Sequence, residues 1–221
     1  MMVYFGIFGD FQCLYFPVSQ KKMSLANSLT LSRVIAAPLL LIFLSRENLY
    51  LQFLALLIFT IASITDLYDG RIARSRKEVS NWGKFMDPLA DKVLMSAVFI
   101  CFVGLKSIKV PAWMVALIIF REFMVTGLRL VALEKKVVIS AQTKGKVKTT
   151  FQITSVIIIL LLMILKDYFW QFLGIELIGL KGIGKIIEHL PYFLMLITTI
   201  VTLYSGADYC LKNRHLFRGR E

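Results

Sequence analysis

The chain has 221 residues, of which 57% are hydrophobic and 18% charged, and its mean hydropathy of +0.71 lies outside the range of a water-soluble domain. Its net charge of +12 is not a pointer to nucleic acid, because chains that live in membranes gather Lys and Arg on the cytoplasmic side. The three cysteines are too few and too scattered for a disulfide framework or a zinc site, and Cys101 and Cys210, in or beside apolar stretches, read as packing residues.

Residues 1–22 are rich in Phe and Tyr and end on the basic pair Lys21-Lys22, which follows the apolar part where a secretory signal would have it first. Met23 therefore reads as the start, with residues 1–22 as an extension and 23–221 as one domain; the alternative is that the extension lies in the membrane interface.

Charge-free apolar stretches follow at 34–45, 49–65, 93–105, 110–120, 149–165 and 190–207. They predict an all-α membrane protein with six transmembrane helices, joined by short connections that make neighbours antiparallel. Several are shorter than the ~20 residues a bilayer core requires, so their polar flanks are expected to face a polar cavity open to the cytoplasm. With the N-terminus inside, the 26 Lys and Arg fall mostly on the cytoplasmic side, leaving Arg46, Lys106, Lys109, Lys166, Lys181 and Lys185 outside. This predicts a multi-pass protein of the inner membrane with its chemistry on the cytoplasmic face. The aromatic segment 166–189 suits the headgroup region, and His189 and His215 have no visible catalytic or metal partner.

Chemistry concentrates between residues 65 and 92, TDLYDGRIARSRKEVSNWGKFMDPLADK. On a helix, Asp66, Asp69, Gly70, Ala73 and Arg74 share one face, and Gly83, Asp87 and Asp91 recur at every fourth residue of the next, with Pro88 between them. Opposed across a hairpin, the two stripes bring four carboxylates together, an arrangement that calls for a cation, and hard oxygen ligands select Mg²⁺, Mn²⁺ or Ca²⁺. Gly70 and Gly83 leave room for a pyrophosphate near the backbone, and Arg74 supplies a cation for it. Aspartates that merely solvate a loop would explain a polar connection but not two stripes in register.

The pattern D-x-x-D-G-x-x-A-R-x8-G-x3-D-x3-D, realised from Asp66 to Asp91, resembles the signature of the CDP-alcohol phosphatidyltransferase family without departure, and the apolar segments agree over roughly 24–212. The resemblance implies that Asp66, Asp69, Asp87 and Asp91 hold two Mg²⁺ or Mn²⁺ ions and that Asp91 is also the proton acceptor. It implies CDP-lipid contacts at Asn27, Thr30, Arg33, Asp66, Gly70, Arg74, Ser80 and Gly83, CDP-diacylglycerol and the bilayer as partners, and a homodimer.

Between Arg121 and Thr150 the chain reads REFMVTGLRLVALEKKVVISAQTKGKVKTT, with Arg121 and Glu122 inside an apolar run, where charge is costly and usually functional. Arg121, Arg129, Lys144, Lys146 and Lys148 are the candidates for an anionic acceptor, whereas Lys135 and Lys136 fit ordinary positive-inside bias. R-E-x5-L-R followed by G-K-x-K-T is similar to the branch of the family whose acceptor is glycerol 3-phosphate, implying phosphatidylglycerol phosphate and CMP as products. Inositol phosphate is the alternative acceptor. From another class, a small cation transporter could use the aspartates as a relay, although the acidic cluster has no counterpart in the other half of the chain. A prenyl-transferring enzyme, whose acidic runs would be denser, comes third.

Overall fold

The computed structural model describes residues 25–46, 48–76, 81–105, 107–134, 143–174 and 183–213; within these, the side chains of 25–30, 66–76, 81–89, 91, 130–131, 133–134, 143–146, 173, 183 and 185 are not described. The extension 1–22, Ser80 and His215 lie outside the described residues.

Six α-helices follow one another: α1 (Leu25–Ser45), α2 (Leu49–Arg76), α3 (Asn81–Gly104), α4 (Ala112–Glu134), α5 (Thr143–Leu173) and α6 (Ile183–Lys212). Local chemistry marks several of their ends. Asn48 caps α2, its Oδ1 accepting from the Tyr50 amide at 3.0 Å and its carbonyl from Gln52 at 2.9 Å. Pro111 stands just before α4 and accepts from the Met114 amide, where its missing N–H costs nothing. Gly174, at φ 62°, ends α5 in the left-handed conformation that glycine adopts without a Cβ clash. Asn213 closes α6 by donating from Nδ2 to the Tyr209 carbonyl at 2.8 Å.

Packing among the described residues closes a ring in the order α1, α3, α4, α6, α5, α2 and back to α1. Its interior is filled by Leu40, Leu44, Phe59, Phe99, Phe102, Met114, Ile118, Ile159, Leu160, Met163 and Met195, all fully or almost fully buried. Large apolar side chains also cover the outside, among them Ile42, Phe53, Ile61, Ile100, Phe120, Ile200 and Tyr204, a surface that suits lipid better than water.

All-α architecture with six helices agrees with the sequence reading, but six transmembrane helices do not. Among the described residues only two helices are long and apolar enough to cross a bilayer, α5 over Val147–Phe172 and α6 over Ile186–Lys212. The apolar runs of the first three, Leu31–Ser45, Leu49–Thr65 and Lys92–Gly104, fall short of the ~20 residues required. In α4 the pair Arg121-Glu122 interrupts the apolar sequence midway. The side assignment of the basic residues rested on six crossings and goes with them.

Candidate functional site

Arg121 and Glu122 are neighbours on α4, so their side chains leave the helix about 100° apart. Arg121 turns to α6, where Nη2 donates to Ser205 Oγ at 3.0 Å. It lies directly over Gly206: a Cβ built there would stand 2.7 Å from Arg121 Cγ and 2.9 Å from Nε. The absence of a side chain at residue 206 is what lets the arginine stem cross α6.

Glu122 turns into the space between α3 and α5. Its Oε1 accepts from Lys148 Nζ at 2.5 Å, from Arg121 Nη1 at 3.2 Å and from Gln152 Nε2 at 3.2 Å, while Lys92 Nζ lies 3.3 Å from Oε2. The Gln152 amide is also 3.4 Å from Thr202 Oγ1, and one turn further along α5 Ser155 Oγ and Thr198 Oγ1 are 2.7 Å apart. A polar seam therefore joins α5 to α6 beneath the charged cluster.

Burial makes the cluster expensive. Arg121, Glu122 and Lys148 are exposed by only 5%, 7% and 6%, and Gln152 by 3%. Buried charges persist when they are paired and hydrogen-bonded, and removal of one partner typically costs about 3–5 kcal/mol. Among the described residues the pairing is uneven, with three cations facing one carboxylate, and Arg121 Nε has no hydrogen-bond partner there. A cavity of about 30 Å³, room for roughly two waters, adjoins the cluster between Lys92, Ser96, Glu122, Lys148, Thr149 and Gln152.

The predicted residues distribute as follows. Asp66, Asp69, Gly70 and Arg74 lie on the C-terminal part of α2, and Gly83, Asp87 and Asp91 on the N-terminal half of α3, all with side chains outside the described set. Both helices run unbroken through these positions, so Asp66 and Asp69 are about one turn apart, as are Asp87 and Asp91. Aspartates are hard oxygen donors of the type that Mg²⁺ or Mn²⁺ takes. Among the described residues alone, no three His, Cys, Asp or Glu converge. Asn27 and Thr30 lie in the first turns of α1 with side chains not described; Arg33, further along α1, is buried. Of the acceptor candidates, Arg121 and Lys148 meet at Glu122, Arg129 is exposed on α4, and Lys144 and Lys146 start α5 with undescribed side chains. Cys101 is buried and Cys210 half-buried, both as free thiols, and His189 is exposed.

Lys92, Gln152, Ser205 and Gly206 were not among the residues singled out from sequence. A signal for part of this was present: Thr198, Thr202 and Ser205 recur at helical spacing within the charge-free part of α6, as do Gln152 and Ser155 on α5. Lys92 ties the two regions together, since it follows Asp91 directly on α3 and reaches Glu122.

Residues 23–204 match the family model for CDP-alcohol phosphatidyltransferase. The chain belongs to the CDP-alcohol phosphatidyltransferase family. It is 43% identical over 150 residues to the CDP-diacylglycerol–glycerol-3-phosphate 3-phosphatidyltransferase of Bacillus subtilis, covering 62% of this chain and 77% of that protein. It is 35% identical over 189 residues to the enzyme of the same name from Rickettsia bellii, covering 86% of this chain and 96% of the relative. The Mycoplasma pneumoniae protein of that name is 33% identical over 210 residues. The chain is thus a membrane-associated phosphatidyltransferase of phospholipid synthesis, and its signature aspartates fall on two successive helices.

Proposed function

We propose that this phosphatidyltransferase transfers the phosphatidyl group of CDP-diacylglycerol to glycerol 3-phosphate. The glycerol 1-hydroxyl attacks the lipid-linked phosphorus, the bond to CMP breaks, and phosphatidylglycerol phosphate remains. Asp91 takes the hydroxyl proton, and both substrates meet at one site, so no covalent enzyme intermediate is needed. Asp66, Asp69, Asp87 and Asp91 hold two divalent ions, Mg²⁺ or Mn²⁺, which when bound offset the charge that builds on the diphosphate. Asn27, Thr30, Arg33, Asp66, Gly70, Arg74, Ser80 and Gly83 bind the cytidine diphosphate part of the lipid. Arg121, Arg129, Lys144, Lys146 and Lys148 draw in the acceptor's phosphate, which enters from the cytoplasm. The enzyme works as a homodimer in the inner membrane.

One observation carries the choice of acceptor: among the described residues, Lys92, Arg121 and Lys148 share a single carboxylate in a largely buried cluster, with positive charge left over. A phosphorylated acceptor matches that surplus, and serine or unphosphorylated inositol does not. The names of the relatives point the same way. Inositol phosphate also carries the required charge and is the second reading. The test is CMP release from CDP-diacylglycerol by purified protein in detergent with Mg²⁺, with glycerol 3-phosphate, inositol phosphate, inositol, serine or no acceptor. Release with glycerol 3-phosphate alone is expected; release with another acceptor, or with none, overturns the assignment.

A further inference from the structure

Four side chains from three helices converge on Glu122: Lys92 from α3, Arg121 from α4 itself, and Lys148 and Gln152 from α5. Three cations gathered in a largely buried space repel one another, and a shared anion is what makes their convergence stable. Among the described residues, Glu122 is the one acidic side chain that pairs with Lys92, Arg121 and Lys148, and it draws the three together. Among the described residues, one carboxylate against three cations leaves a formal surplus of two positive charges, which a phosphate monoester dianion would cancel. Arg121 Nε, buried against Gly206 of α6 and without a hydrogen-bond partner among the described residues, is a donor left over, and on the α3–α5 side of Glu122 a separate cavity lies between Lys92, Lys148 and Gln152.

We infer that Glu122 is a positioning residue for the acceptor: its carboxylate sets Lys92, Arg121 and Lys148 as one three-cation receptor for a phosphate dianion, and Lys92 joins the acceptor's contacts. This rests on the acceptor-phosphate reading above. Because Lys92 sits next to Asp91 in sequence, the same carboxylate also fixes the phosphate end of the acceptor relative to the backbone that carries the proposed base. Glu122 touches neither substrate; it acts through the cations it holds.

The experiment measures steady-state kinetics of the full chain in detergent with Mg²⁺ for wild type, Glu122→Gln, Glu122→Asp and Arg121→Ala, with thermal unfolding of each. Glu122→Gln is expected to raise KM for glycerol 3-phosphate at least about tenfold, the equivalent of one charge-assisted hydrogen bond, while KM for CDP-diacylglycerol stays within about twofold. Glu122→Asp keeps the charge and withdraws it by about 1.5 Å, so its acceptor KM should fall between the two. Should Glu122→Gln fail to fold, Glu122→Asp decides: an acceptor KM unchanged from wild type overturns the inference. Equal effects of Glu122→Gln on both substrates would make the residue structural, and a lowered acceptor KM would make it a competing anion; either overturns the inference. Arg121→Ala separates the two levels of the argument. If it leaves the acceptor KM unchanged, the acceptor site itself is wrong; if it raises that KM and Glu122→Gln does not, the positioning role alone falls.

Discussion

Replacing Gly206 by alanine tests whether the placement of Arg121 matters to the acceptor. The new Cβ would meet Arg121 Cγ at 2.7 Å, Nε at 2.9 Å and Cδ at 3.3 Å, whereas unstrained carbon pairs rest at about 3.5–4.0 Å. The conflict involves the aliphatic stem and not the mobile tip, so the side chain must withdraw by roughly 0.8 Å from Cβ, the gap between 2.7 Å and the shorter limit. Arg121 then leaves Ser205, now at 3.0 Å, or Glu122, now at 3.2 Å, or both. Overpacking of this kind costs about 1–3 kcal/mol, which, if borne wholly by acceptor binding, raises KM about 5- to 150-fold. Alanine also favours the helix over glycine by about 1 kcal/mol, so any strain borne by folding should lower stability by no more than about 2 kcal/mol. The assay is the KM for glycerol 3-phosphate and for CDP-diacylglycerol in detergent, beside a thermal unfolding curve. An unchanged acceptor KM with intact folding would refute the claim that Arg121, held as the structure has it, serves the acceptor.

Asp91→Asn should abolish CMP release yet retain CDP-lipid binding, read by equilibrium binding of labelled CDP-diacylglycerol; an active variant removes Asp91 as the base. Chelation with EDTA should stop turnover and Mg²⁺ or Mn²⁺ should restore it, as measured by CMP release; full activity in chelator would contradict the metal assignment. Gln52→Leu should lower thermal stability by about 1–3 kcal/mol, because it deletes the 2.6 Å hydrogen bond from Nε2 to Asp167 Oδ2. Asp167 lies about 28 Å along α5 from Lys148, so both KM values should remain those of wild type.

The helices were legible because polar or charged residues bound the apolar runs, as Asn48 does before 49–65 and Lys166 after 149–165. Their role as spans was not, since a run without charge says little about how far a helix continues. α2 goes on through the acidic signature to Arg76, and α5 begins in the basic stretch at Thr143. The family was legible from the spacing of Asp66 to Asp91 alone. Arg121 and Lys148 could be picked out because charge beside apolar sequence is unusual. The centre of their cluster could not, because Lys92, Glu122, Gln152, Ser205 and Gly206 come from four helices and meet only through tertiary packing. Glu122 looked like a companion of Arg121, whereas its main partners lie on α3 and α5.

The most direct test of phosphatidyl transfer to a phosphorylated acceptor uses glycerol 3-phosphate labelled in its glycerol carbons, with CDP-diacylglycerol and Mg²⁺, counting label in the lipid phase against CMP in the aqueous phase. One labelled glycerol phosphate entering lipid for each CMP released is the predicted result. CMP released without label in the lipid would mean that the phosphatidyl group goes elsewhere, and would contradict the account.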